Sequence, residues 1–320
     1  RLGREGVRSG SCARILLQSG RVRDSIGGFG CYPRPLMTTQ GTELTVGRPR
    51  RGGFGSVVET LAALLDRRRL VWYLAVSEVR NKRTNSLLGN IWWFLDPALQ
   101  LFVYFLLLNV LTQRNQPAVL LFLGAAILPW KWFSSALASG TSAVRAREQV
   151  MRQIAFPHIV LPAAALVSSI VHFLFALVPL AALYLVYPDR LTPWALAVVP
   201  VALVQLLWTI PLAIALSAVG VFLRDISNFI PHLLRIWFYL SPALFSLDSL
   251  RSAGERFPLF GIFVNLNPFT WIFTGYRDAL YDGRAPDWLP LGILALASIP
   301  AILLSVYLFR RLSPLFVKVL

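Results

Sequence analysis

Three charged side chains stand in stretches of this sequence that are otherwise apolar: Asp96, Lys131 and Arg235. Lys131 sits between Trp130 and Trp132 in "AAILPWKWFSSALA" (125–138), where it is the sole charge. At mid-bilayer a charge costs at least about 2.5 kcal/mol unless it is paired or wet. The chemistry open to it is ion pairing or attraction of an anion. Arg235, near His232, offers a guanidinium to helix-end carbonyls, lipid headgroups or a phosphate. Asp225 beside Arg224 reads as a structural turn. No other constellation carries chemistry. His158, His172 and His232 are scattered without HExxH spacing, and Cys12 and Cys31 both fall in the N-terminal tail. No GxxxxGK[ST] phosphate loop and no nucleophile–base set occurs, so the chain itself is expected to hold neither a metal nor ATP.

The elements that position these charges are predicted to be membrane helices. The chain is 56% hydrophobic and 14% charged, whereas a soluble domain carries about a quarter charged residues. Six segments are long enough to cross about 30 Å of hydrocarbon: 89–111, 119–140, 159–186, 193–222, 228–247 and 288–309. Runs this apolar must be helical, because lipid offers the backbone no partners. Asp96 lies seven residues into the first span and Lys131 nine residues before the inner end of the second. At about 1.5 Å per residue, antiparallel neighbours then hold them within about one helical turn in height. An Asp96–Lys131 ion pair is one reading. The other has Lys131 facing a conduit and attracting an anion. Snorkelling fits poorly so far from an interface.

The net charge of +16 would suggest nucleic acid in a soluble protein, but here the cations lie in the tail and in short loops. With both termini inside, segments 48–88, 141–158, 223–227 and 310–320 carry sixteen Lys or Arg, against six in 112–118, 187–192 and 248–287. That bias orients the chain N-in and C-in. Residues 1–53, with ten Arg against three acidic residues, read as a disordered basic tail. The natural start is expected near Met37. Segment 248–287 is too apolar for a plain loop and is broken by Pro258, Gly261 and Pro268. It is expected to form one or two re-entrant or interfacial helices on the outer face. A broken extra span is the alternative, and it would put Arg310, Arg311 and Lys318 outside against the charge bias.

Two elements are expected on the inner face. Residues 54–84 form an amphipathic interface helix, with Leu61, Leu65, Trp72 and Val76 on one face and Asp66, Arg67, Arg68 and Arg69 clustered. In "SAVRAREQVMRQIAFPHIVLP" (142–162), Arg145, Arg147, Glu148 and Arg152 lie on a short polar helix ended by Phe156–Pro157. Each element serves either as a membrane anchor or solvated turn, or as a platform for a cytoplasmic partner.

In order and spacing these pieces resemble the ABC-2 type permeases. "RNKRTNSLLGNIWWFLDPALQ" resembles their Ser-x-Leu-Gly-x-x-Trp-x-x-Leu-x-Pro approach to the first span, and "GAAILPWKWFSSAL" the glycine-to-tryptophan stretch of the second. "MRQIAFPHIVLP", "VGVFLRDISNF", "YLSPALF" and "LNPFTWIFTGYRDALYDG" resemble their Phe-Pro, Arg-Asp, Ser-Pro and Asn-Pro…Tyr-Arg segments. The likeness covers 56–320 and is nearest to the exporters of polysaccharides and polyol phosphates.

The resemblance implies an all-α membrane protein of six spans, with residues 85–320 as the transmembrane domain in the cytoplasmic membrane. Two copies would form the channel. Each would dock a separate subunit carrying ATP and Mg, through Arg67, Arg68, Arg69, Arg145, Arg147, Glu148, Arg152, Phe156 and Pro157. The cargo would be a polyprenyl-pyrophosphate-linked glycan, with membrane lipids around it and no nucleic acid. Trp92, Trp93, Trp130, Lys131, Trp132, Phe133 and Arg235 are the candidates for the channel side. The family commonly has uncharged residues where this chain has Asp96 and Lys131. Export of drugs or lipids by the same fold, and a membrane-embedded polyprenyl-glycan transferase, are the alternatives.

Overall fold

The computed structural model describes residues 55–81, 91–112, 118–153 and 156–319. The basic tail, the region around Met37 and the Ser-x-Leu-Gly approach lie outside the described residues. So do the side chains of Trp93 and Arg152. Among the described residues every regular element is helical. In chain order they are α1 (Gly55–Asp66), α2 (Arg68–Asn81), α3 (Ile91–Thr112), α4 (Val119–Ser142), α5 (Glu148–Gln153) and α6 (Val160–Val186). There follow α7 (Val198–Phe222), α8 (Ile226–Leu240), α9 (Leu247–Arg256), α10 (Pro258–Leu266), α11 (Pro268–Leu280) and α12 (Trp288–Val319).

Among the described residues, four helices are long and apolar enough to cross a membrane: Val119–Ser142, Val160–Val186, Pro193–Phe222 and Trp288–Phe316. These are the second, third, fourth and sixth of the expected spans. The first and fifth are shorter. In α3 the apolar part is Phe94–Leu107. Helix α8 has 15 residues, about 22 Å of rise. It stops at Ser241, which is extended (φ −93°, ψ 157°) because Pro242 follows.

Helix α4 is the core of the bundle, packing on α3, α6, α7, α8 and α11. Small residues let its inner end approach α7 closely. A Cβ on Gly140 would meet the Ala213 Cβ at 3.1 Å, and one on Gly220 would meet the Thr141 carbonyl oxygen at 2.2 Å. Higher up, the buried Gln205 of α7 donates to the Pro129 carbonyl of α4 at 2.8 Å.

Where one interface helix is expected over 54–84, two occur, turned at Arg67. The apolar faces have different partners: α1 packs on α12, burying Val57, and α2 packs on α6, burying Val71 and Ala75. Leu65 and Trp72, expected on the apolar face of a membrane-surface helix, are exposed, while the side chain of Leu61 lies outside the described residues. They form a second apolar stripe, as a helix lying on a membrane requires.

Three helices rather than one or two fill 248–287. Pro258 and Pro268 each open a new helix. Gly261 is no break. It lies inside α10 and allows close approach to α9, where a Cβ on Gly254 would fall 2.8 Å from the Gly261 Cα.

Candidate functional site

The three charges singled out in apolar stretches, Asp96, Lys131 and Arg235, come together at the junction of α3, α4 and α8. Lys131 Nζ lies 2.5 Å from Asp96 Oδ2. Lys131 is partly covered, while the Asp96 side chain is 64% exposed. Beside the pair is a cavity of about 340 Å³. Helix α3 lines it with Gln100 and Tyr104; α4 with Trp130, Lys131, Ser134, Ser135 and Ala138; α8 with Pro231, Leu234, Arg235 and Phe238. Each set follows helical spacing, one face per helix. Tyr104 hydrogen-bonds the side chains of Tyr239 and Gln100. Arg235 is exposed, and among the described residues no carboxylate pairs with it. The wall thus offers two cations, three hydroxyls and an amide beside aromatic faces, with no carboxylate of its own. Such a surface can hold an anionic or polyhydroxylated group. Gln100, Tyr104, Ser134 and Ser135 escaped the sequence reading, although their i+3, i+4 and i+8 spacing from Asp96 and Lys131 was a usable signal.

The expected channel aromatics divide. Trp92 is exposed, and with Phe94 and Phe102 of α3 and Phe229 and Tyr239 of α8 it covers the outer surfaces of those helices with rings. Trp130, Trp132 and Phe133 are buried in this chain's own core. Trp130 packs against Phe133, Trp237, Phe238, Phe269 and Phe273, with centroids 4.8 to 6.1 Å away. It also reaches the cavity wall. Trp132 stacks on Phe173 at 4.4 Å and donates to Ser169 Oγ at 3.2 Å. Phe133 packs on Phe269. Neither Trp132 nor Phe133 lines the cavity.

At the end of the bundle expected to face outward, three sequence segments form one knot. Asn267 accepts from the Phe269 amide at the start of α11, donates to Ser241 Oγ at 2.7 Å and accepts from Trp237 Nε1 at 3.1 Å. Arg277 is buried. It donates to the carbonyls of Ala243 (2.7 Å) and Phe245 (3.1 Å), and its guanidinium lies 3.7 Å from the Phe122 ring centroid. The Ser-Pro, Asn-Pro and Tyr-Arg segments are therefore one structure, a role that sequence reasoning did not assign to Arg277. Just beyond, Arg284 Nη2 lies 2.5 Å from Asp278 Oδ1, and this bond raises the Arg284 pKa.

At the opposite end, the expected coupling residues form a second knot. Arg145 donates to the Val221 carbonyl at the end of α7, 2.8 Å away. Arg147 reaches the Leu74 carbonyl and Glu78 of α2, both at 3.4 Å. The two arginines thus join α2, the 145–153 segment and α7. Phe156 packs among α2, α6 and α12 side chains. Pro157 is half-buried beside it. His158 sits between Phe156 and Phe316, and burial holds its imidazole below the usual range. Glu148 is half-buried, whereas Arg67, Arg68 and Arg69 are exposed. Among the expected docking arginines whose side chains are described, those three are open and Arg145 and Arg147 are half-buried. No cluster of potential metal ligands occurs among the described residues.

Comparison with known proteins agrees with this layout. Residues 69–281, from α2 to the end of α11, match the ABC-2 type transporter family. The O-antigen export system permease protein RfbA of Myxococcus xanthus is 32% identical over 260 residues, covering 80% of this chain and 97% of that protein. Two proteins of the same name from Klebsiella pneumoniae are 23% and 22% identical, each over 76% of this chain and 92% of its own length. The match spans both knots and the cavity, and by it the chain belongs to the ABC-2 type transporter family of multi-pass membrane proteins.

Proposed function

We propose that this chain is the permease subunit of an ATP-driven exporter that moves a polyprenyl-linked polysaccharide of O-antigen type across the cytoplasmic membrane. The observation that carries this is the similarity to an O-antigen export permease along 97% of that protein's length. In this reading the chain crosses the membrane six times, N-in and C-in, with α3 and α8 as the first and fifth spans. Helices α9 to α11 re-enter from the outer face. Two copies enclose the path, and the ring-covered surfaces of α3 and α8 face it. Aromatic rings suit the C–H faces of sugars, while hydroxyls stay wet.

ATP hydrolysis belongs to a separate subunit. It docks on the inner face, where Arg67, Arg68 and Arg69 are open to it. The knot made by Arg145 and Arg147 passes its movement to α2 and α7. Depletion of the chain should leave lipid-linked glycan accumulating in the inner leaflet. Unchanged glycan export after depletion would overturn the reading in favour of a drug or lipid exporter of the same fold.

A further inference from the structure

The cavity between α3, α4 and α8 has an unbalanced wall. Two cations line it, Lys131 and Arg235, and no carboxylate does. Asp96 touches Lys131 from outside the wall and neutralises it. Arg235 has no such partner among the described residues. An uncompensated guanidinium in hydrocarbon is costly, so such a charge faces water or a ligand anion. The remaining lining is suited to an anion with bulk attached. Ser135 and Gln100 can donate hydrogen bonds, and Trp130 and Phe238 offer apolar faces. The volume of about 340 Å³ is within the ordinary range for small ligands, roughly 300–1,000 Å³. Along α4 the lining runs from Lys131 to Ala138, about 10 Å of rise toward the inner end.

We infer that this cavity binds the phosphate of a membrane amphiphile, with Arg235 as its first cation, and that Asp96 is a resident counter-ion which the phosphate displaces from Lys131. The inference deepens the function proposed above and rests on it for the cargo, but not for the binding itself. It differs from a purely structural ion pair in the sign of one effect. If Asp96 competes with the ligand, Asp96→Asn strengthens phosphate binding. If the pair only holds the fold, Asp96→Asn weakens it or does nothing.

The test uses the full chain in nanodiscs of phosphatidylcholine, with native mass spectrometry counting retained ligand. The probes are a short-chain polyprenyl phosphate, the matching neutral polyprenol and phosphatidylglycerol. The polyprenyl phosphate should be retained and the polyprenol not. Arg235→Gln and Lys131→Gln should each weaken retention by at least about tenfold, as loss of a charged hydrogen bond does. Arg235→Lys should keep part of it, and Asp96→Asn should strengthen it. Preference for the polyprenyl phosphate over phosphatidylglycerol assigns the phosphate to cargo. Equal retention assigns it to lipid headgroups, and both results support the site. Arg235 is exposed, so its variants should remain folded, as size-exclusion profiles will report. Equal binding of polyprenol and polyprenyl phosphate, indifference to Arg235→Gln, or weaker or unchanged binding by Asp96→Asn overturns the inference. Failure here with glycan still accumulating on depletion removes only this inference. Phosphate binding with export unaffected by depletion removes the proposed function instead.

Discussion

The charges at the α3–α4 contact have opposite consequences for folding when they are removed singly or together. Lys131→Gln strands Asp96, and a charge without its partner is the costly case. The folded, membrane-inserted amount of Lys131→Gln should fall several-fold. Adding Asp96→Asn should restore most of it, as quantitative blotting of membranes will measure. Equal levels for the wild type, Lys131→Gln and the double variant would mean that water, rather than the pair, carries the charge. This contact was legible in advance because height along two antiparallel helices is simple arithmetic. The direction of the neighbouring aromatics was not. Trp132 and Phe133 look the same to a composition argument whether they face a conduit or a core. Only the positions of Phe173 and Phe269, on helices far away in sequence, decide that they face the core.

Among elements, the contact between α4 and α7 depends on the absence of a side chain. At Gly220 the added methyl of Gly220→Ala would meet the backbone oxygen of Thr141, which cannot swing aside. Overpacking of this kind costs about 1–3 kcal/mol, so the variant should unfold at lower temperature in detergent, as a thermal-shift measurement will detect. On the inner face, Arg147 is a strut between α2 and the 145–153 segment. Arg147→Ala, in a permease assembled with its ATPase, should lower export per ATP hydrolysed while hydrolysis continues. Paired transport and phosphate-release assays in proteoliposomes give that ratio. An unchanged ratio would reduce Arg147 to a packing role. The turn at Arg67 shows why the interface helix was misjudged. Apolar periodicity identifies a face, but it does not say that two halves of one face have different partners.

For the molecule as a whole, the proposed six-pass arrangement makes a labelling prediction. In a chain with Cys12 and Cys31 replaced by serine, Ala146→Cys should react with an impermeant thiol reagent only from the inner side. Asp287→Cys should react only from the outer side. Reaction of both from one side would break the topology. The long apolar helices were legible because about twenty residues without a charge can do little else. Helix α8 was harder to bound, since Pro242 stops it in the middle of an apolar run that reads as continuous. The three helices of 248–287 were visible as a broken apolar segment. Their joining to the end of α8 was not, because it runs through Asn267 and Arg277, whose partners are not near in sequence.

Arg277 also bears on how the chain is made. Phe122, Ala243 and Phe245, the groups that receive its guanidinium, all precede it in the sequence. When α11 leaves the ribosome, these three acceptors for its buried charge have already been synthesised. The charge can therefore go directly to waiting acceptors, without a period alone in lipid. Biogenesis of this bundle then has a natural order. Helices α4 and α8 are laid down first, α11 locks onto them, and α12, with Arg310 and Arg311 near its end, closes the insertion.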